Sequence, residues 1–256
     1  MKTTKKLLLC MISLMLLLAF PIAVMAAQKT VYVLSSVTDD GGQTSEFTYN
    51  QNGLLSKAVI PSASFGMPAQ KLKASYTKEG LLKKVTRTDF NITHTEKFTY
   101  KGGMVFRHTS TTKYEPGTNN TLMTTYKWNG KTFTSTVKDV DTGEKQASIK
   151  GKLDSKNRLI SLTVKYTDAS AESVKYKYDA KGFLKAAAYD NYTTTFKNTV
   201  KNNRVTKKVM DKYSTYKLKY KKIKVPASFV TKVKTQQNYI VNNLTLDWFA
   251  FDYPMW

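Results

Sequence analysis

The chain has 256 residues, of which 41 are basic and 18 acidic, for a formal net charge of +23 at pH 7. This length suits one domain, because all-β domains often reach it. The charge excess favours acidic partners and opposes compact self-association, and two histidines and one cysteine leave few groups for acid–base or thiol chemistry.

The N-terminal residues predict a cleaved signal peptide. Three lysines precede an apolar run from Leu7 to about Ala19, and Pro21 and a small-residue site ending at Ala26 follow. We expect cleavage after Ala26; the alternative is an uncleaved anchor, because the apolar stretch approaches the roughly 20 residues that span a bilayer. The mature protein is then secreted or associated with the cell envelope, that is, extracytoplasmic. It has no cysteine, and without the three leader lysines 38 basic and 18 acidic residues leave a net charge of +20.

One short pattern recurs along the mature chain: an aromatic residue, three polar residues, a glycine or asparagine, and apolar residues. Clear copies begin at Tyr49, Tyr76, Leu153 and Tyr178, and looser ones near Tyr100, Trp128, Val200 and Tyr220. Their leading residues are 20 to 28 positions apart. A period of this length is typical of a repeated supersecondary unit.

Each copy of the pattern predicts a hairpin turn. In the copy at Tyr178, Asp179 can accept backbone amide hydrogen bonds, and Gly182 supplies the positive φ that a type I turn followed by a bulge requires. Asn157 fits the same position in its copy, because asparagine tolerates a left-handed backbone. The predicted turn residues are Tyr49, Gly53, Tyr76, Gly80, Asn157, Tyr178, Asp179 and Gly182.

The segments between the turns alternate with period two, as in Leu162, Val164 and Tyr166 against Ser161 and Thr163. No 12-residue window of the mature chain shows convincing helical periodicity. We therefore predict an all-β fold, an antiparallel meander of about 14–16 strands built from repeated hairpins of about 25 residues. Sheets beyond about ten strands curl or split, so the meander is expected to form a barrel, a partial shell or a sandwich.

The pattern Tyr-Asp-x-x-Gly-apolar-Leu at residues 178–184, preceded by an alternating Tyr-x-Tyr, resembles the YD repeat of Rhs-type and teneurin-type proteins. The resemblance spans roughly residues 44–225 and implies a small bacterial member whose repeats build a β-sheet that coils into a shell. In that family, some members enclose a toxic C-terminal domain, and the repeats have been linked with surface and carbohydrate binding. This chain is far too short for a full shell and lacks the Asp-Pro-rich boundary motif that precedes the toxin, so toxin delivery is not implied.

Residues 197–234 contain 13 basic residues and a single acid, Asp211. Lys217, Lys219 and Lys221 alternate with apolar residues, which places them on one strand face about 7 Å apart. This spacing could follow phosphates or sulfates along a polymer. The predicted polyanion-binding residues are Lys207, Lys208, Lys217, Lys219, Lys221 and Lys224.

The expected partner of these lysines is an anionic cell-wall polymer or polysaccharide. A membrane surface is an open alternative, nucleic acid is disfavoured because no recognised binding module accompanies the lysines, and the oligomeric state is left open. A purely structural alternative is an exposed sheet edge whose lysines block unwanted strand pairing.

Few residues point to catalysis. His94 and His108 are expected to be ordinary strand residues, and no serine lies in a nucleophile-elbow context. Glu96 is expected to face Arg107 across a hairpin as an ion pair. The acidic stretch at residues 139–144 has too few carboxylates for a calcium loop and is read as a turn. We expect no enzyme activity, no catalytic residues, no metal and no cofactor.

The predicted division is a signal peptide at 1–26, a repeat domain at 27–234 and an aromatic-rich cap at 235–256. The tail LDWFAFDYPMW is expected to cover the open end of the sheet; the alternatives are an aromatic platform for sugar rings and the last strand of a membrane barrel, which Pro254 disfavours.

The predicted function is a secreted, envelope-associated binding or structural protein whose basic stripe engages anionic surface polymers. Two alternatives remain: a carrier of a lipid or small apolar ligand inside the curled sheet, and an outer-membrane β-barrel.

Overall fold

The computed structural model describes residues 27–62 and 68–243. The predicted signal peptide at 1–26 and the aromatic tail after Asn243 lie outside the described residues. Within them, sixteen antiparallel strands form one closed barrel, in which every strand pairs with its neighbours in sequence and the first strand pairs with the last. The prediction of an all-β meander of about 14–16 strands is therefore confirmed, and its form is a barrel.

The first eight strands are β1 Gln28–Thr38, β2 Thr44–Tyr49, β3 Leu55–Ile60, β4 Gln70–Tyr76, β5 Leu82–Asp89, β6 Ile92–Lys101, β7 Met104–Tyr114 and β8 Thr118–Asn129. The second eight are β9 Thr132–Asp139, β10 Lys145–Leu153, β11 Leu159–Tyr166, β12 Ala171–Tyr178, β13 Leu184–Tyr189, β14 Thr193–Lys201, β15 Arg204–Met210 and β16 Ser214–Pro226. A short 3-10 helix, Ala227–Phe229, leads into the α-helix α1, Val230–Asn243.

The repeated motifs form hairpins at one end of the barrel, and we call this end the motif rim. Its hairpins join β2 to β3, β4 to β5, β6 to β7, β8 to β9, β10 to β11, β12 to β13 and β14 to β15. At the Tyr178 copy, the Asp179 amide donates to the Phe183 carbonyl at 2.8 Å, the Gly182 amide donates to the Asp179 carbonyl at 3.0 Å, and Gly182 has a φ of 90°. An Asp179 carboxylate oxygen also accepts the Phe183 amide at 2.9 Å. Both glycine and carboxylate therefore shape this turn.

Six of the motif hairpins are followed by a one-residue bulge, whereas the hairpin between β8 and β9 has none. Tyr178 pairs with Leu184 but Lys177 pairs with Ala186, so Lys185 is an extra residue that reverses the side-chain alternation. The same shift follows the residues Tyr49, Tyr76, Tyr100, Leu153 and Val200.

The barrel is apolar inside and polar outside. Inward side chains such as Leu34, Leu82 and Ala187 have no exposed surface, and one continuous core runs through nearly all the strands. The outward positions are mostly lysine, threonine and serine, and every described lysine except Lys208 is exposed. The fold is therefore held together mainly by apolar burial inside the barrel.

Helix α1 crosses the motif rim and is fixed by side-chain hydrogen bonds. Gln237 Oε1 accepts the Leu34 amide and Gln236 Oε1 accepts the Leu55 amide, both at 2.7 Å. At the other end of α1, Asn242 Oδ1 accepts the amide of Leu184 at 2.9 Å. These bonds tie α1 to β1, β3 and β13.

The presence of α1 corrects one prediction, because a helix forms where no helical periodicity is evident. The strands end at Pro226, and the described part of the predicted cap, residues 235–243, is helical. The division into domains stays a prediction. None of the described helices combines the length and apolar character needed to cross a bilayer.

Candidate anion-binding surface and cleft

Four neighbouring strands, β14, β15, β16 and β1, contain no acidic residue. We call their exposed lysines the lysine surface: Lys29, Lys197, Lys201, Lys207, Lys217, Lys219, Lys221, Lys222 and Lys224. The strand pairing brings together charges that the sequence places in separate segments. Lys217, Lys219 and Lys221 share one face of β16, whereas Lys222 and Lys224 lie on its opposite face, because β16 alternates without a bulge.

Lys207 lies directly opposite Lys217 in the pairing of β15 with β16. Like charges at such positions repel each other, because the Cβ atoms of a directly opposed pair are only about 5 Å apart. Among the described residues, ion pairs within 4 Å join only His108 to Glu96 and Arg158 to Asp154. The lysine surface therefore has no internal counter-charge among the described acids.

The structure places Lys207, Lys217, Lys219, Lys221 and Lys224 in exposed positions, but Lys224 lies on the face of β16 opposite to Lys217, Lys219 and Lys221. The structural alternative of a guarded sheet edge is wrong, because β16 pairs with both β15 and β1 and the closed barrel has no edge there.

The prediction is also wrong for Lys208. Its side chain is 1% exposed and its Nζ donates to the carbonyl oxygens of Val241 and Asn242 at 3.0 and 2.9 Å, with the Phe196 ring centroid 4.5 Å away. Burial lowers the pKa of Lys208 to about 7. The bulge after Val200 turns Lys208 inward, where it caps the C-terminal end of α1 instead of facing a polymer.

The predicted turn residues all lie on the motif rim. Gly53, Gly80 and Asn157 have φ values of 79°, 81° and 60°. The hydroxyls of Tyr49 and Tyr76 donate to the carbonyls of Leu34 and Leu55, both at 2.7 Å, and Tyr178 donates to Leu159 at 2.9 Å. Burial raises the pKa of Tyr178 to about 12 and moves those of Tyr49 and Tyr76 well above their ordinary value.

A buried polar cluster occupies the barrel interior between β6 and β7. His108 Nε2 is hydrogen-bonded to a carboxylate oxygen of Glu96, and the Ser110 hydroxyl donates to the other at 2.9 Å. The His108 ring stacks on Phe98 at 4.7 Å. The expected pairing of Glu96 with Arg107 is wrong, because the turn and bulge place Arg107 opposite Thr99.

The two rims of the barrel differ in charge. Six motif hairpins carry a lysine in or beside the turn: Lys78, Lys101, Lys131, Lys156, Lys181 and Lys201. Most acids lie in or beside the hairpins at the other end: Asp39, Asp40, Asp89, Glu115, Asp139, Asp141, Glu144, Asp168, Asp190 and Asp211. Several of these acids stabilise their own hairpins. The Asp139 carboxylate, for example, accepts hydrogen bonds from the amides of Asp141 and Thr142 and so closes the hairpin at residues 139–144.

A cleft of about 430 Å³ opens between α1 and the motif rim. Its walls come from the hairpins that join β6 to β7, β10 to β11 and β12 to β13, from Trp128 on β8, and from one face of α1. This cleft was not predictable from the sequence, because α1 itself was not predicted.

The chain matches no known protein family and no curated protein. Among solved structures it is similar to a porin-like protein from Bacteroides vulgatus ATCC 8482, with 14% identity over 74% of this chain and 99% of that chain and a TM-score of 0.47. A porin-like protein from Bacteroides uniformis ATCC 8492 shows 15% identity over 75% and 96% of the two chains, with a TM-score of 0.43. Similarity at this level says nothing about what this chain binds. The protein is a closed β-barrel, and its extracytoplasmic location stays the prediction of its N-terminal sequence.

Proposed function

We propose that this barrel is an envelope-associated binding protein whose lysine surface engages anionic surface polymers. The observation that carries the proposal is the absence of any acid from the four adjacent strands β14, β15, β16 and β1. An extended polyanion lying across these strands would supply the missing counter-charge and relieve the repulsion between Lys207 and Lys217.

The geometry suits a polymer better than a small anion. Lys217 and Lys219 follow each other on one face of β16 about 7 Å apart, and Lys207 extends the row to the next strand. The charges are exposed, so each contact is weak and affinity depends on several contacts made together. A chain of regularly spaced anionic groups meets that requirement. We assign no catalytic role to His94 or His108.

Binding to immobilised dextran sulfate, with neutral dextran as the reference matrix, tests the proposal. The test variant replaces Lys207, Lys217, Lys219 and Lys221 with glutamine. A matched control makes the same charge change at Lys127, Lys150, Lys152 and Lys165, exposed lysines of β8, β10 and β11. We expect the test variant to lose most of its retention and the control little; equal losses would show that only net charge matters and would contradict a defined surface.

An outer-membrane β-barrel is the second candidate, and the closed, even-numbered meander of strands favours it. Such a barrel needs an outward apolar band, whereas mid-strand lysines such as Lys73, Lys97 and Lys150 are exposed here. Each would cost about 2–4 kcal/mol at the centre of a bilayer. Flotation with liposomes decides between the two: insertion that resists alkaline extraction supports the membrane barrel, and recovery in the aqueous fraction supports the binding protein.

The apolar-ligand carrier has less support. Inward side chains such as Leu72, Val85 and Leu162 are at most 5% exposed, so in their part of the barrel the protein's own side chains fill the space that a lipid would occupy.

A further inference from the structure

We propose that the cleft between α1 and the motif rim binds a sugar unit that carries a carboxylate or phosphate group. This site is separate from the lysine surface, because none of the lysines of that surface lines the cleft. The inference is therefore independent of polymer binding at that surface.

The cleft has the size of a small-ligand site. Its volume of about 430 Å³ falls within the range of roughly 300–1,000 Å³ that is usual for such sites. One wall is α1, which contributes Thr235, Asn238 and Tyr239. The opposite wall consists of the tips of the motif hairpins.

The lining combines aromatic rings with polar groups. Trp128, Tyr178 and Tyr239 line the cleft, together with Leu153 and Leu159. The indole N–H of Trp128 is already used by the Val105 carbonyl at 2.8 Å, and the Tyr178 hydroxyl by the Leu159 carbonyl at 2.9 Å. The Arg158 guanidinium lies over the Tyr178 ring, 4.4 Å from its centroid. Trp128 therefore offers the cleft apolar surface against which the C–H face of a sugar ring can pack.

The charge of the lining is positive. Lys156, Arg158 and Lys181 line the cleft, and no acidic residue does. Arg158 is held by Asp154 at the base of its own hairpin, but neither Lys156 nor Lys181 has an acid within ion-pair distance among the described residues. These two ammonium groups are free to meet an anionic substituent of a ligand.

The cleft is not needed to hold the helix. The side chains of Gln236 and Gln237, which do not line the cleft, accept hydrogen bonds from backbone amides of the barrel. The Asn242 side chain is hydrogen-bonded to the backbone of Leu184 and Gly182. Asn238, by contrast, is exposed at the cleft and can donate and accept hydrogen bonds to sugar hydroxyls. The cleft thus has a rigid frame and uncommitted polar groups.

Three probes separate the parts of this inference: galacturonic acid, galactose and acetate. Galacturonic acid differs from galactose only in its carboxylate, and acetate supplies a carboxylate without the ring. Amide and indole NMR signals of the full mature chain report both affinity and location. We expect galacturonic acid to shift the signals of Trp128, Gly182 and Asn238, with galactose and acetate binding more weakly.

The variants Lys156→Gln and Lys181→Gln test the charge, and Asn238→Ala tests the hydroxyl contacts. Each lysine replacement should weaken galacturonic acid binding about two- to fivefold, the usual worth of an exposed ion pair, and should leave galactose binding unchanged. Asn238→Ala should weaken both sugars. The control Lys101→Gln removes a motif-rim lysine that does not line the cleft, and should change nothing.

Three outcomes would overturn the inference: galacturonic acid bound no better than galactose, equal losses in Lys101→Gln and Lys156→Gln, or shifts confined to the lysine surface. All of these exposed side chains can be replaced without removing a core contact, so a null result cannot be attributed to unfolding.

Discussion

The hydroxyl of Tyr100 at the end of β6 donates a hydrogen bond to the carbonyl of Leu82 at the start of β5, with 2.7 Å between the oxygens. Tyr100 belongs to one motif hairpin and Leu82 to the preceding one. The bond therefore joins consecutive repeats. Related bonds run from Tyr49 to Leu34, Tyr76 to Leu55, Trp128 to Val105, Tyr178 to Leu159, Asn198 to Leu184 and Tyr220 to Val205.

Removing one such bond should weaken the barrel measurably. Tyr100→Phe keeps the ring but leaves the Leu82 carbonyl without this partner, so we expect the free energy of unfolding to fall by about 1 kcal/mol. Denaturant unfolding followed by circular dichroism measures the change. Tyr213→Phe is the control, because Tyr213 is 87% exposed; an equal loss there would contradict the role of the bond.

Alkaline pH should destabilise the fold through the same tyrosines. Burial raises the pKa of Tyr49, Tyr76, Tyr100 and Tyr220 above the ordinary value of 10.0. Above pH 10 the unfolded chain releases these protons while the folded chain keeps them, so the free energy of unfolding falls as pH rises. Phenolate absorbance should therefore appear together with loss of β-structure; full ionisation of these phenols in a still folded protein would contradict the assignment.

Lys208 should give the opposite dependence at lower pH. Its pKa is about 7 in the folded protein against 10.5 for an ordinary lysine. Between these values the unfolded state binds more protons, so Lys208 makes the free energy of unfolding rise with pH. Lys208→Met should reduce that rise, whereas the exposed neighbour Lys207→Met should leave it unchanged. Identical pH profiles for wild type and Lys208→Met would contradict the burial of a titrating amine.

Gly151 should be intolerant of a side chain. A Cβ at this position would overlap the Phe133 ring, which covers Gly151 across the pairing of β10 with β9. Gly151→Ala should lower the free energy of unfolding by about 1–3 kcal/mol, because the packed interior cannot absorb the added volume. Gly41→Ala, where the nearest atom lies at 3.4 Å, is the control. Equal stability of the two variants would show that Phe133 can move.

The fold could be predicted because the motif turns are local. Asp179 and Gly182 fix their hairpin through contacts within five residues, and the period of the motif then gives the number of strands. Barrel closure was not predictable, since it depends on β1 meeting β16 across almost the whole described chain.

Three features escaped prediction for physical reasons. The bulge at Lys185 reverses the alternation, so Ala187 points inward, whereas uninterrupted alternation from Leu184 would place Ala186 and Ala188 on the inner face. Helix α1 buries the amides Gln236 and Gln237, so its inner face does not look apolar. In the sequence, Lys208 resembles the surface lysines around it, because the α1 carbonyls that accept its hydrogen bonds are distant in sequence.

The salt dependence of binding to soluble dextran sulfate tests the central claim most directly. If the lysine surface binds the polymer by displacing its counterions, the logarithm of the affinity should fall linearly with the logarithm of salt concentration. The variant lacking Lys207, Lys217, Lys219 and Lys221 should show a slope smaller by roughly one for each lysine that contacts the polymer. An unchanged slope in that variant, or an affinity that does not fall as salt rises, would contradict the claim.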